Sequence, residues 1–134
     1  MEPESCETDC CLEPMASTLA SLVREAPAET LVMIDPNNPT GAVYSTTTRR
    51  ALIDVAEEFG LTIIADEVYG DLGFDGPVPL LSTLDLDAPV ISLSSLSKAY
   101  LAPGWRTGWM ALGPTPRLDN ALAAIKKMAD GRLC

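Results

Sequence analysis

The chain has 134 residues, 47% of them hydrophobic, the size and composition of one globular domain with a buried core. Nineteen acidic against nine basic residues give a formal net charge of -10, which repels nucleic-acid phosphate and anionic membrane surfaces. With no histidine, and cysteine confined to Cys6, Cys10, Cys11 and Cys134, ordinary catalytic triads and the usual zinc spacings are excluded within these residues.

Residues 1 to 14 mix Glu, Pro, Cys and Ser without periodicity and read as an irregular start. That start is acidic and polar rather than basic then apolar, and the longest apolar runs have strand length. No signal peptide or membrane span is therefore expected, and the Cys6, Cys10, Cys11 cluster reads as reduced thiols of a cytoplasmic protein. From Met15 the apolar positions Met15, Leu19, Leu22 and Val23 follow helical spacing until Pro27 stops it. Leu31 to Ile34 is a continuous apolar run, hence a buried strand, closed by a rigid turn from Asp35 to Gly41 that holds Pro36 and Pro39.

The segment from Thr46 to Phe59 places Leu52, Val55, Ala56 and Phe59 on one helical face, with Ser45 as N-cap and Gly60 as its stop. Leu61 to Ala65 predicts a second buried strand that ends on Asp66 and Glu67, and Gly70, Gly73, Gly76, Pro77 and Pro79 then mark a long loop. Val90 to Ser94 predicts a third strand, running into Ser95 to Arg106, and Gly108 to Leu112 a fourth. Thr115 and Pro116 open a last helix, with Leu118, Leu122, Ile125 and Met128 inward. The basic pairs Arg49/Arg50 and Lys126/Lys127 read as solvated helix faces.

This order predicts an α/β layer with at least one parallel strand pair around the 46–59 crossover, and such sheets bind ligands beyond the carboxyl ends of their strands. Three strands end in polar residues: Asn37/Asn38, Asp66/Glu67, and Ser95/Ser97/Lys98. Lysine is the remaining natural nucleophile or base. Lys98 stands among Leu96, Ala99, Tyr100 and Leu101, surroundings that would disfavour its charged form. On composition alone it is a solvated loop lysine, and its company changes the reading. Asp66 closes an apolar strand, where an isolated carboxylate is costly without an opposing cation; a turn-capping aspartate explains it equally well. Arg106, between Trp105 and Thr107 with serines nearby in sequence, suits a phosphate or, in an acidic protein, a surface ion pair.

Three separated motifs, Asn37-Asn-Pro-Thr-Gly41, Asp66-Glu-Val-Tyr69, and Ser95-Leu-Ser-Lys98 continued through Pro103-Gly-Trp-Arg106, together resemble the class I/II aminotransferases of fold type I. The stretch from Leu101 to Trp109 is similar to the loop of alanine and tyrosine aminotransferases. The resemblance spans residues 15 to 134 and implies part of the pyridoxal 5′-phosphate (PLP) binding large domain: a three-layer α/β sandwich with a mostly parallel, incomplete sheet. It implies transfer of an amino group between an amino acid and a 2-oxo acid, in an enzyme that is homodimeric at full length. PLP-dependent lyase or synthase chemistry, or a non-catalytic fragment, are the alternatives the motifs leave open.

The resemblance also implies roles. Lys98 would carry the cofactor as a Schiff base and shuttle the substrate α-proton, and Asp66 would keep the pyridine nitrogen protonated. Asn38 and Tyr69 would hydrogen-bond the phenolic oxygen. Ser95 and Arg106 would bind the phosphate, with the adjacent Ser97 a further candidate. The pattern implies a cis Asn38–Pro39 bond. The family's glycine-rich phosphate turn, its ring-stacking aromatic, its small domain and its carboxylate-clamping arginine have no counterpart in these residues, so the chain alone is expected to be inactive.

Overall fold

The computed structural model describes residues 12–85 and 87–131; the cysteines at 6, 10, 11 and 134 lie outside them. The elements run α1 (Leu12–Glu25), β1 (Thr30–Ile34), α2 (Thr46–Phe59), β2 (Thr62–Asp66), β3 (Val90–Ser95), β4 (Gly108–Leu112) and α3 (Asp119–Asp130), with short 3-10 turns at Gly70–Leu72, Leu81–Thr83, Pro103–Trp105 and Pro116–Leu118. Helix α1 begins at Leu12, ahead of the apolar positions that first mark it, because Pro14 is tolerated in a first turn, where no intrahelical N–H bond is lost.

Helix α2 forms where its sequence signals converge. The Ser45 side chain accepts a hydrogen bond from Thr48 N, and Gly60 adopts the left-handed conformation that ends the helix, its N–H reaching the carbonyls of Ala56 and Glu57. Leu52, Ile53 and Ala56 are buried against Met33, Leu61, Ile63, Ala65, Leu81, Ala88 and Val90, with Leu19 and Val23 of α1 at the margin. Ile53, Leu61, Ile63 and Val90 are fully enclosed, each contributing roughly 1.5–3 kcal/mol.

The four strands form one sheet in the order β1-β2-β3-β4. The pairs β1·β2 and β2·β3 are parallel, with Ile34 opposite Asp66 and Asp66 opposite Leu93. The backbone N–H groups of Asp35 and Glu67 carry the pairing one residue further, to the carbonyls of Asp66 and Leu93. Three carboxyl ends therefore lie side by side. Strand β4 is antiparallel to β3 with Gly108 opposite Ser95, so the segment that precedes β4 meets the same edge.

Three expectations need correction. Strand β1 is not buried on both faces: Met33 points into the core, whereas Val32 is 62% and Ile34 36% exposed, since β1 is an edge strand and the helices of the core cover one sheet face. In α3 Met128 is 70% exposed; Leu118, in the 3-10 turn before the helix, is the buried anchor, and no residue of α3 itself is buried. Arg49 is not on a solvated helix face. It is 4% exposed, in the same stripe as Leu52, Ile53 and Ala56, three, four and seven residues further along α2.

Candidate functional site

The turn that follows β1 is built by local bonds. Asn37 N donates to Ala42 O and Gly41 N to Asn37 O, both at 2.8 Å, while the Asn37 side-chain oxygen accepts from the Thr40 hydroxyl at 2.8 Å. Gly41 has φ 72°, the left-handed region that favours glycine. The Asn38–Pro39 bond is cis, as is Asp35–Pro36. This turn leaves Asn38 exposed at the sheet edge, where its side-chain amide donates to the Tyr69 hydroxyl at 3.4 Å.

Tyr69 follows β2 by three residues, in a turn closed by Gly70 N donating to Glu67 O. Lys98, in the turn after β3, places its Nζ 5.5 Å from the centre of the Tyr69 ring, within reach of the attraction between a cation and an aromatic face. The structure thus brings Asn38, Tyr69 and Lys98 together from three successive strand ends. Lys98 is exposed, and Tyr100 and Leu101 are too, so its apolar neighbours in sequence do not enclose it.

Asp66 is half-buried at the tip of β2. Its Oδ1 accepts from Val68 N at 3.2 Å, leaving the second oxygen for another partner. Asp66 and Ser95 share a depression of about 220 Å³ with Val68, Leu93 and Ser94. The Ser95 hydroxyl accepts from Ser97 N at 3.2 Å, and the Ser97 side chain has no part in that bond. Arg106 reaches this edge because Leu96 N donates to Thr107 O and Gly108 pairs with Ser95. It is exposed, sits at φ 50°, and donates one Nη1 bond to Pro103 O at 2.9 Å. No bond joins it to Ser95 or Ser97 among the described residues. A separate cavity of about 280 Å³ lies between the two turns, lined by residues that include Asn38, Val43, Tyr69, Leu72 and Phe74.

Beneath these groups lies a buried polar cluster that sequence reasoning missed. Arg49 Nη2 is 2.7 Å from Asp35 Oδ2, and Arg49 Nη1 donates to Pro79 O at 2.7 Å. Asp35 Oδ1 accepts from Tyr44 N at 3.1 Å. Glu67, buried, accepts from Leu81 N at 2.6 Å, while its Oε2 and the Arg49 Nε find no partner among the described residues. Burial pushes the Glu67 carboxyl above its ordinary value; the Leu81 amide, the Ser92 hydroxyl and the Arg49 guanidinium oppose this, and the Asp35 carboxylate adds to it. The available signal for Arg49 was its spacing from Leu52, Ile53 and Ala56.

The polar groups at the edge, an amine, a carboxylate, an amide beside a phenol, and a guanidinium on the segment that pairs beside Ser95, are of the chemical kinds that could hold a group such as PLP, which carries an aldehyde, a ring nitrogen, a phenolic oxygen and a phosphate. Comparison with known proteins points the same way. Residues 10–131 match the family described as aminotransferase class I and II. The glutamate-pyruvate aminotransferase AlaA of Haemophilus influenzae is 36% identical over 131 residues, covering 96% of this chain and 32% of that protein. An alanine aminotransferase from Pyrococcus furiosus superposes with a TM-score of 0.76 at 34% identity, over 86% of this chain and 30% of that one. A PLP-dependent aminotransferase from Streptococcus suis does so with a TM-score of 0.67 at 31% identity, over 87% of this chain and 29% of that one. The chain thus spans about a third or less of the length of the curated relatives it matches.

Proposed function

The chain belongs to the class I and II aminotransferases, and from that membership we propose that it supplies the cofactor floor of an enzyme that moves an amino group between an amino acid and a 2-oxo acid. The cofactor is pyridoxal 5′-phosphate, which when bound supplies a ring that withdraws electrons from a substrate carbon losing its proton. The observation that carries the proposal is the meeting of Asn38, Tyr69 and Lys98 from three strand ends, beside Asp66 and Ser95.

In this reading Lys98 is the amine that holds the cofactor covalently and, once released, moves a proton at the substrate α-carbon. Its exposure leaves the amine free to reach. The Asp66 carboxylate keeps a proton on the ring nitrogen, using the oxygen not engaged with Val68 N. Asn38 and Tyr69 donate to the phenolic oxygen, and their own 3.4 Å contact keeps the two groups side by side. Arg106, with most of its donors uncommitted, binds phosphate together with the Ser95 hydroxyl, and Ser97 supports that end.

The substrates are an amino acid and a 2-oxo acid, and the pair in the relative's name, glutamate with pyruvate, is the first to assay. The whole enzyme in this proposal is a homodimer of the cytoplasm that engages neither nucleic acid nor membrane. The formal charge of -10 supports the last point, and no helix among the described residues is long and apolar enough to cross a membrane. The motifs are shared with PLP lyases and synthases, and no feature of the described residues favours those chemistries.

The test is chemical. Purified protein mixed with PLP and reduced with borohydride should carry a pyridoxyl group on Lys98 by mass spectrometry, and Lys98→Ala should carry none. Lys126 and Lys127 are exposed within helix α3, and modification there with Lys98 untouched would reject the assignment.

A further inference from the structure

Asn38 and Tyr69 sit on two different loops, and their 3.4 Å contact requires those loops to keep one relative position. The turn after β1 is rooted at Asp35, and the loop after β2 returns through Pro79 to the core at Leu81. A single guanidinium ties both roots together: Arg49 binds Asp35 Oδ2 at 2.7 Å and Pro79 O at 2.7 Å. Asp35 in turn holds Tyr44 N at the far end of its turn. Arg49 and Asp35 are both nearly enclosed, at 4% and 6% exposure. A buried ion pair is a weak source of stability, because apolar side chains of similar volume often do as well. Its directional bonds instead fix geometry.

We propose that Arg49 is a positioning residue of the cofactor floor: held between Asp35 and Pro79, it sets the 35–44 turn against the 67–80 loop and thereby holds Asn38 and Tyr69 where both can meet one cofactor oxygen. The proposal rests on the reading of these two residues as cofactor donors. The Arg49 bonds go to Asp35 and Pro79 rather than to either of them.

The decisive variant is Arg49→Met combined with Asp35→Asn, which removes both charges yet keeps an oxygen to accept from Tyr44 N. Arg49→Met alone strands a buried carboxylate and serves as the control for unfolding. The first readout needs no cofactor: amide hydrogen exchange at Asn37 and Gly41, whose bonds close the turn, relative to Ile63 in the core of β2. A role in global stability alone would lower protection at all three by one factor. Positioning predicts that the double variant loses about tenfold more protection at Asn37 and Gly41 than at Ile63. The second readout is the PLP dissociation constant of the folded double variant, expected to rise about tenfold. A protection ratio within about twofold of the parent overturns the proposal, and so does a changed ratio with unchanged PLP affinity. If the parent captures no PLP, the functional reading falls and the exchange ratio still decides the positioning role.

Discussion

Glu67 stands next to Asp66 in sequence, yet on the other side of the strand it is buried against the core. Burial raises its carboxyl above the ordinary 4.5, more than the Leu81 amide, Ser92 and Arg49 can offset. The folded chain therefore holds this proton more tightly than the unfolded chain. The stability this group contributes is fully present below the ordinary value and is lost as the pH climbs through the raised folded value. Glu67→Gln keeps an oxygen for Leu81 N and does not titrate. As the pH climbs from below the ordinary 4.5 through the raised folded value, the unfolding free energy of the Gln variant should improve relative to the parent, as read from urea midpoints. A constant difference across that window would show that Glu67 carries no such proton. This residue was legible only as a polar strand end, because alternation along β2 puts Asp66 and Glu67 on opposite faces and no sequence pattern says which face the helices cover. Arg49 was hidden for a related reason. A basic pair invites a solvated reading, and the buried acid that justifies an inward Arg49 is fourteen residues away.

At the scale of elements, the site depends on β4 lying tightly along β3. A Cβ on Gly108 would sit 2.8 Å from Ser94 O and 3.2 Å from the Ser95 Cβ, and a backbone obstacle cannot swing aside. Gly108→Ala should push the start of β4 off β3, cost about 1–3 kcal/mol, and weaken the bond from Leu96 N to Thr107 O, taking Arg106 away from Ser95. Gly104→Ala is the control. A Cβ there meets nothing within 4 Å, so its stability should stay within about 0.5 kcal/mol of the parent. Urea unfolding of the two variants checks the contrast, and equal losses would mean that the close approach at Gly108 is not what holds the edge. Elements of this kind were well marked in the sequence. Helix α2 occupies the expected bounds because its N-cap, apolar stripe and C-terminal glycine agree, and the strands fall within a residue of their apolar runs. The direction of β4 and the exposure of β1 were not marked. Both depend on which strand is neighbour to which, a long-range property that local apolar content does not encode.

For the whole molecule, the polar floor and the surface around it are at odds. The groups proposed to hold the cofactor line one sheet edge, but Lys98, Arg106, Tyr100 and Trp105 all stand open to solvent. Val32 and Ile34 leave part of one sheet face bare, and Phe74 is fully exposed. Exposed apolar groups of this extent normally meet another surface, and the chain spans 32% of the H. influenzae relative. Catalysis gains most from a site that excludes water and fixes the reacting atoms within a narrow geometry. Nothing among the described residues closes over Lys98 or supplies a second wall. The 134-residue chain by itself is therefore expected to capture PLP weakly, with a visible absorbance that Lys98→Ala removes, and to show no measurable transfer between glutamate and pyruvate. Assaying the purified chain with both substrates at saturating PLP decides this: turnover in the ordinary enzymatic range, roughly 1–1,000 per second, would mean that the open edge is sufficient for catalysis and that a closed, water-excluding site is not required here.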